Sequence, residues 1–363
     1  MLSKSMNFVA AGLSLALGRS TVTAALGAAV LLAVGAPARA DFFVTAYEQT
    51  AAEVLQYDNA GNFVRVFVTP GSGGLSSPQS LVRGPDGNLY INNQDKVLKY
   101  NGVTGASMGT FVDLTANSQS DAKTIAFGPD GKLYVGSGDT SSSGPPGIVN
   151  RYNGSTGAFI DTFASGLVEP MSLAFGAGKL YVGDGSGAVT SSTDTTDTIK
   201  VFNGGSGALI GSLGNESGLT DPNGMTFGAD GKLYVTNEGS FSSSGSNLLP
   251  NTVLAYDVSS GHDTTFVSPG SGGIMEPFGL VFALGGLYVT GGDTGKVYRY
   301  DGTSGGTPTV FIDLCGGNAD CSIPDPKGIL FVQGSRSVPE PATLSLLGLG
   351  LAGIGYARRK RKS

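Results

Sequence analysis

One phrase recurs five times along this chain. Residues 78–91 read PQSLVRGPDGNLYI, 122–135 AKTIAFGPDGKLYV, 170–182 PMSLAFGAGKLYV, 222–235 PNGMTFGADGKLYV and 277–289 PFGLVFALGGLYV. Its tyrosines, Tyr90, Tyr134, Tyr181, Tyr234 and Tyr288, are spaced by 44, 47, 53 and 54 residues. A second phrase alternates with it, starting at Val54 (VLQYDNAGNFVRVFV), Val97, Ile148, Ile199, Val253 and Val297. Each phrase joins two short β-branched or aromatic runs through Gly, Asn and Asp, the chemistry of a hairpin turn. Two hairpins per repeat give four strands in about 44–54 residues, twice the length that one turn of a parallel β-helix uses. The 59 glycines are accounted for by turns that require positive φ.

The second phrase occurs six times and the first only five. The missing copy is split between the ends of the repeat region. Pro326–Phe331 supplies its first strand and Asp41–Ala46 its second, with Phe43 standing 47 residues before Tyr90. Such pairing closes a ring and leaves no free sheet edge. The expectation is an all-β, six-bladed β-propeller over 41–336, closed by its N- and C-terminal strands. The repeats resemble those of NHL and TolB-like propellers. That resemblance implies architecture rather than activity, since the fold hosts binders, lactonases, lyases and dehydrogenases.

The flanks read as targeting segments. Residues 1–40 carry Lys4 and Arg19, an apolar run from Thr21 to Gly35, and an A-x-A site at Ala38-Arg39-Ala40, which predicts a cleaved signal peptide. Residues 337–363 hold Pro339-Glu340-Pro341, a 16-residue apolar stretch (Ala342–Ala357), and the basic run Arg358-Arg359-Lys360-Arg361-Lys362. The stretch barely spans a bilayer core of ~30 Å, and the basic run stays cytoplasmic. This tail resembles the PEP-CTERM sorting signal of Gram-negative bacteria. The resemblance implies a short transmembrane helix that anchors the chain transiently in the inner membrane. It further implies recognition by an exosortase-type protease and release to the cell surface or an extracellular matrix. In an exported chain, Cys315 and Cys321, the only cysteines, read as a disulfide.

The charge is divided along the same lines. Residues 1–40 and 342–363 hold eight of the 22 basic residues and no acid, so 41–341 carries 14 basic against all 28 acidic residues, a net of −14 where the whole chain has −6. A body so acidic, without a basic cluster, argues against nucleic-acid binding. His262 is the only histidine, which rules out any mechanism or metal site that needs two.

Propeller sites gather where the innermost strands begin. Pro222-Asn223-Gly224 with Tyr234–Glu238 is similar to one blade of the gluconolactonase/senescence-marker family, whose members hold a divalent cation in the channel, and Asn223 falls at the matching slot. The other repeats place Gln79, Lys123, Met171, Phe278 and Lys327 there, a set poor in the oxygen ligands a hard cation needs. The departure leaves Asn223 read as a turn or strand-start residue. Two positions before that slot stand Asp121, Glu169, Asp221, Glu276 and Asp325, with Ser77 in the sixth repeat. Ring symmetry predicts that these five carboxylates collect at one rim, relieved by Lys123, Lys327 or solvent, or by a weakly bound calcium ion; no other cofactor is expected. Asp86, Asp130 and Asp230 read as turn residues, and His262 as an exposed turn residue. Ser/Thr/Gly-rich inserts at 141–147, 190–198 and 240–250 fall at one place in three consecutive repeats and predict a crowded loop face suited to binding. Together these features favour a non-catalytic surface or matrix protein that binds an exopolysaccharide or a surface protein. The alternatives are a metal-dependent lactonase- or lyase-like enzyme and a purely structural matrix component.

Overall fold

The computed structural model describes residues 40–47, 52–138, 146–185, 197–239, 251–316 and 325–334, all within one compact unit spanning 39–334. Among the described residues there are six four-stranded antiparallel sheets. The first comprises β24 (Asp325–Val332), β1 (Asp41–Tyr47), β2 (Glu53–Asp58) and β3 (Phe63–Val68), in that spatial order. The other five sheets follow chain order. They are β4–β7 (Pro78–Arg83, Leu89–Asn93, Lys96–Tyr100, Ser107–Asp113), β8–β11 (Ala122–Phe127, Leu133–Ser137, Gly147–Tyr152, Phe159–Leu167) and β12–β15 (Glu169–Gly176, Lys179–Gly185, Thr198–Asn203, Leu209–Ser212). Next come β16–β19 (Gly224–Phe227, Leu233–Asn237, Thr252–Tyr256, Asp263–Val267) and β20–β23 (Pro277–Ala283, Gly286–Gly291, Lys296–Asp301, Gly305–Asp313).

The six first strands form the inner ring: β4 packs on β8, β8 on β12, β12 on β16, β16 on β20, β20 on β24, and β24 back on β4. The closing pairing is the one expected, with Phe42 opposite Phe331, Phe43 opposite Leu330 and Val44 opposite Ile329. Burial changes from the axis outward. Second strands such as β5 (LYINN), β9 (LYVGS) and β17 (LYVTN) are buried throughout, whereas the outer β15 (LIGS) is exposed throughout.

The core is divided into six apolar clusters, each shared by two neighbouring blades. The repeated tyrosine is the wedge in this division. Tyr134 meets Phe163 of its own outer strand and Phe175 of the next blade's inner strand edge-on, with ring centroids 5.0 and 4.8 Å away. Tyr90 does the same with Phe111 and Phe127, and Tyr234 with Phe266 and Phe282. Phe43 fills the tyrosine position in the closing blade and packs edge-on against Phe67 at 4.8 Å.

The hydroxyls explain the Asp-Gly turns. Tyr90, Tyr134 and Tyr234 donate to Asp86, Asp130 and Asp230 at 3.0–3.1 Å. Those aspartates are turn residues, as expected, and also buried-tyrosine acceptors. The glycine two residues before each aspartate is set by the same ring: a Cβ on Gly128 would stand 2.5 Å from the edge of Tyr134. The blade containing Tyr181 has the shorter turn Gly176-Ala177-Gly178, without an aspartate, and the Tyr181 hydroxyl is buried with no hydrogen-bond partner among the described residues.

Candidate functional site at the channel mouth

The rim is built by loops that lead into the inner strands, and buried side chains at the ends of the second strands hold those loops. Asp184, 3 % exposed, accepts from the backbone N–H of Val168 and Glu169 at 2.8 and 2.9 Å. Asn93 does the same for Ser76 and Ser77, and Asn237 for Thr220. Two further carboxylates reach the acidic positions: Asp95 accepts from the N–H of Asp121, and Asp197 from that of Asp221. Asp121, Asp221 and Glu276 have φ of 54°, 37° and 50°, in the left-handed region that costs a non-glycine residue of order 1–3 kcal/mol. In two of the three a proline follows and restricts the backbone further.

Each lysine of the inner ring spans two of these acids. Lys123 Nζ lies 2.5 Å from Asp121 Oδ2 and 2.6 Å from Glu169 Oε1 of the next blade. Lys327 Nζ lies 2.7 Å from Glu276 Oε1 of the preceding blade and 3.0 Å from Asp325 Oδ2, over the face of Phe278 at 4.4 Å. Gly292 makes room for the second cluster, since a Cβ there would fall 2.5 Å from both Asp325 Oδ1 and Glu276 Oε2. Burial raises the pKa of Glu276 and of Asp325, and Lys327 opposes the rise in both. Burial lowers the pKa of Lys327, but Asp325 and Glu276 outweigh it and the ammonium is held more firmly than usual.

Between these two clusters lies a third sector. Asn223, only 6 % exposed, turns inward just before β16 and donates from Nδ2 to Glu238 Oε2 at 2.5 Å, while its Oδ1 is buried without a partner among the described residues. Its expected place at a strand start is therefore correct, and its side chain also belongs to the mouth. In the sequence Glu238 is marked only as the last residue of the run Tyr234–Glu238. It reaches the rim from the end of β17 instead of from the recurring slot. Burial first, then the charges of Glu276 and Asp221, push its carboxyl to about 7; Lys327 and Asn223 pull the other way.

Gln79, Lys123, Glu169, Met171, Asp221, Asn223, Glu238 and Phe278 line a cavity of about 270 Å³ at the mouth. Below it the inner strands line a narrower space of about 220 Å³. The five predicted carboxylates are thus brought to one rim, four of them paired with lysine. Among the described residues no three His, Cys, Asp or Glu side chains are grouped as a metal would require.

The raised Glu238 has a consequence for stability. Its folded pKa of about 7 stands above the ordinary 4.5, so the folded state holds the proton more tightly than the unfolded chain. The stabilisation is complete below about pH 4.5 and is lost as pH rises through 7, amounting to about 3 kcal/mol over that window. Urea unfolding of Glu238→Gln at pH 5 and pH 8 checks this: the variant should gain on the wild type at pH 8. An equal difference at both pH values would refute the assignment.

Other predicted positions lie elsewhere. His262 is an exposed turn residue, its Nδ1 2.5 Å from Glu216 Oε1. Cys315 follows β23, and its N–H donates to Asp313 at 3.0 Å; Cys321 lies outside the described residues. Also outside them are Ala38 of the predicted cleavage site, the predicted transmembrane stretch, Pro339-Glu340-Pro341 and Arg358–Arg361, whereas Ala40 immediately precedes β1. Of the predicted inserts, 141–145, 190–196 and 240–250 lie outside the described residues, and the strands that precede the first two end at the rim, where Ser137 is opposite Ala122 and Gly185 opposite Glu169.

This fold and this mouth define a six-bladed β-propeller. Its C-terminal residues 337–362 match the PEP-CTERM protein-sorting motif, which implies recognition by an exosortase and makes the chain an exported, membrane-processed propeller. No curated protein matches the chain. Among solved structures it is similar to a chain of the nidogen/laminin complex, at 13 % identity and a TM-score of 0.59, covering 82 % of this chain and 99 % of that one. It is also similar to hydrazine synthase of Kuenenia stuttgartiensis (14 % identity, TM-score 0.50, 71 % and 76 % covered). A third similar structure is PQQ-bound aldose sugar dehydrogenase of Streptomyces coelicolor (18 %, 0.51, 68 % and 83 %). At these identities the likeness is one of fold.

Proposed function

We propose that the propeller is a non-catalytic binding module, delivered to the cell surface or extracellular matrix by its sorting motif, and that it binds a surface glycan through the rim face. The observation that carries this reading is the mouth itself. A cavity of about 270 Å³, walled by Met171 and Phe278 and ringed by carboxylates, amides and ammonium groups, suits a hydroxylated ring. The bases of three inserts stand on the same face and extend the surface available to a longer polymer. Signal-peptide cleavage after Ala40 and a Cys315–Cys321 disulfide belong to the same reading of an exported chain.

The test is a glycan array probed with the exported protein, alongside Lys123→Met. Binding of a defined glycan that weakens in the variant is the expected result. Uniform blanks, or capture of a surface protein with no glycan signal, would overturn the glycan reading. Calcium is a separate question, because Lys123 and Lys327 already occupy the space between four of the five rim carboxylates. Calorimetry with millimolar calcium should give no binding heat to the wild type, and a clear isotherm would reinstate a rim cation.

A further inference from the structure

Reading around the mouth, the chain solves the same electrostatic problem twice in one way. Asp121 and Glu169 share the ammonium of Lys123; Glu276 and Asp325 share that of Lys327, which also lies over Phe278. The sector between them has the carboxylate of Glu238, with the negative charge of Asp221 beside it, yet Glu238 forms no ion pair among the described residues. The slot equivalent to the two lysines in the neighbouring blade is occupied by Met171. An independent observation coincides with this gap. Asn223, more than nine-tenths buried, lines the cavity with its amide bound to Glu238 on one side and an acceptor oxygen without a donor on the other.

We propose that this third sector receives the ammonium group of an unacetylated amino sugar carried by a surface polysaccharide. The ammonium sits against Glu238 and takes the place that a lysine fills in the other two sectors. Asn223 turns its amide to accept from the ligand. Met171 and Phe278 cover the apolar edge of the ring, and Gln79 faces it with a neutral amide. At about 270 Å³ the cavity lies just below the range of drug-sized sites, which limits it to one ring and leaves the polymer outside. This inference rests on the glycan-binding reading above and narrows it to one chemical group.

Glu238 is faced by Asp221 from the loop before β16, by Glu276 at the start of β20 and by Lys327 on β24; Lys123 and Glu169 line the same cavity. Burial and the neighbouring acids keep Glu238 largely protonated below pH 7, so binding of the ammonium requires the carboxyl to release that proton to solvent. Binding therefore tightens as pH rises from 5.5 to 7, where a sugar amine keeps its own proton.

The experiment is calorimetric titration of the full exported protein with glucosamine, N-acetylglucosamine, glucose, ethylammonium and calcium chloride, each alone. Glucosamine should bind at least about tenfold more tightly than the other four and gain about tenfold between pH 5.5 and 7. Glu238→Gln should erase the preference for glucosamine over glucose. Met171→Lys, which places a lysine in the slot that Met171 fills, should abolish glucosamine binding while the thermal unfolding midpoint holds or rises. Equal binding of N-acetylglucosamine, tighter binding of ethylammonium or calcium, no binding of glucosamine, or a preference that survives Glu238→Gln would each overturn the proposal. An intact polysaccharide that still binds both variants would uphold glycan binding and place it away from this sector.

Discussion

Tyr134→Ala is expected to lower the stability of the propeller by about 3–5 kcal/mol, the cost of emptying a large, fully buried aromatic site. Tyr134 is 0 % exposed and is the contact through which one blade reads the position of the next, by way of Phe163 and Phe175. Removing it opens a void on both sides of a blade boundary, which neighbouring strands cannot close without shifting a whole sheet. The hydroxyl contributes separately. Tyr134→Phe leaves Asp130 without its buried donor and should cost about 1 kcal/mol. Tyr181→Phe should cost close to nothing, because that hydroxyl has no partner among the described residues. Urea unfolding of the three variants tests the set. A Tyr181→Phe loss as large as that of Tyr134→Phe would show that the Asp-Gly turns do not serve the tyrosines as described.

Lys327→Met should be the second severe change, at about 3–5 kcal/mol near neutral pH, because it leaves buried charge without its partner. Glu276 and Asp325 lose their shared ammonium, and Glu238 loses a cation that lowers its pKa. The sign with pH follows from the same groups. Without the lysine, the folded-state pKa of these carboxyls rises further above that of the unfolded chain, so their protonated forms favour folding. The deficit should therefore shrink as pH falls below the raised values and be greatest above them. Unfolding measured at pH 5 and pH 8 distinguishes this from lost packing against Phe278, which gives the same deficit at both.

The ring was legible in the sequence because its signals are local and repeated. Tyr90 to Tyr288 mark second strands by spacing alone, and the imbalance between six copies of one phrase and five of the other locates the closing pair 41–46 and 326–331. The carboxylate rim was legible for the same reason, since a residue in a fixed slot of each repeat must recur around the axis. Glu238 escaped that reasoning: it follows the last residue of β17 and stands three residues past the repeated phrase, in a single blade. Asp184, Asp95 and Asp197 escaped it as well. Their work is to accept backbone N–H groups in loops of different length, a task fixed by three-dimensional reach that leaves no periodic trace. Nor does sequence spacing reveal that a lysine will bridge to the blade ahead, as Lys123 does, or to the blade behind, as Lys327 does.

The seam between β1 and β24 also governs when the molecule can become whole. Asp41 pairs with Val332, so the second strand of the closing blade waits for a partner made almost 300 residues later. During export in N-to-C order, every other blade has its four strands before β24 arrives, and the inner ring holds a gap where it belongs. Completion of the ring is thus a report that translocation has passed residue 332, a few positions before the sorting segment at 337–362. A protease that acts on that segment receives a chain whose last described strand already lies behind the cut in chain order, and cutting beyond residue 334 leaves every pairing among the described strands in place.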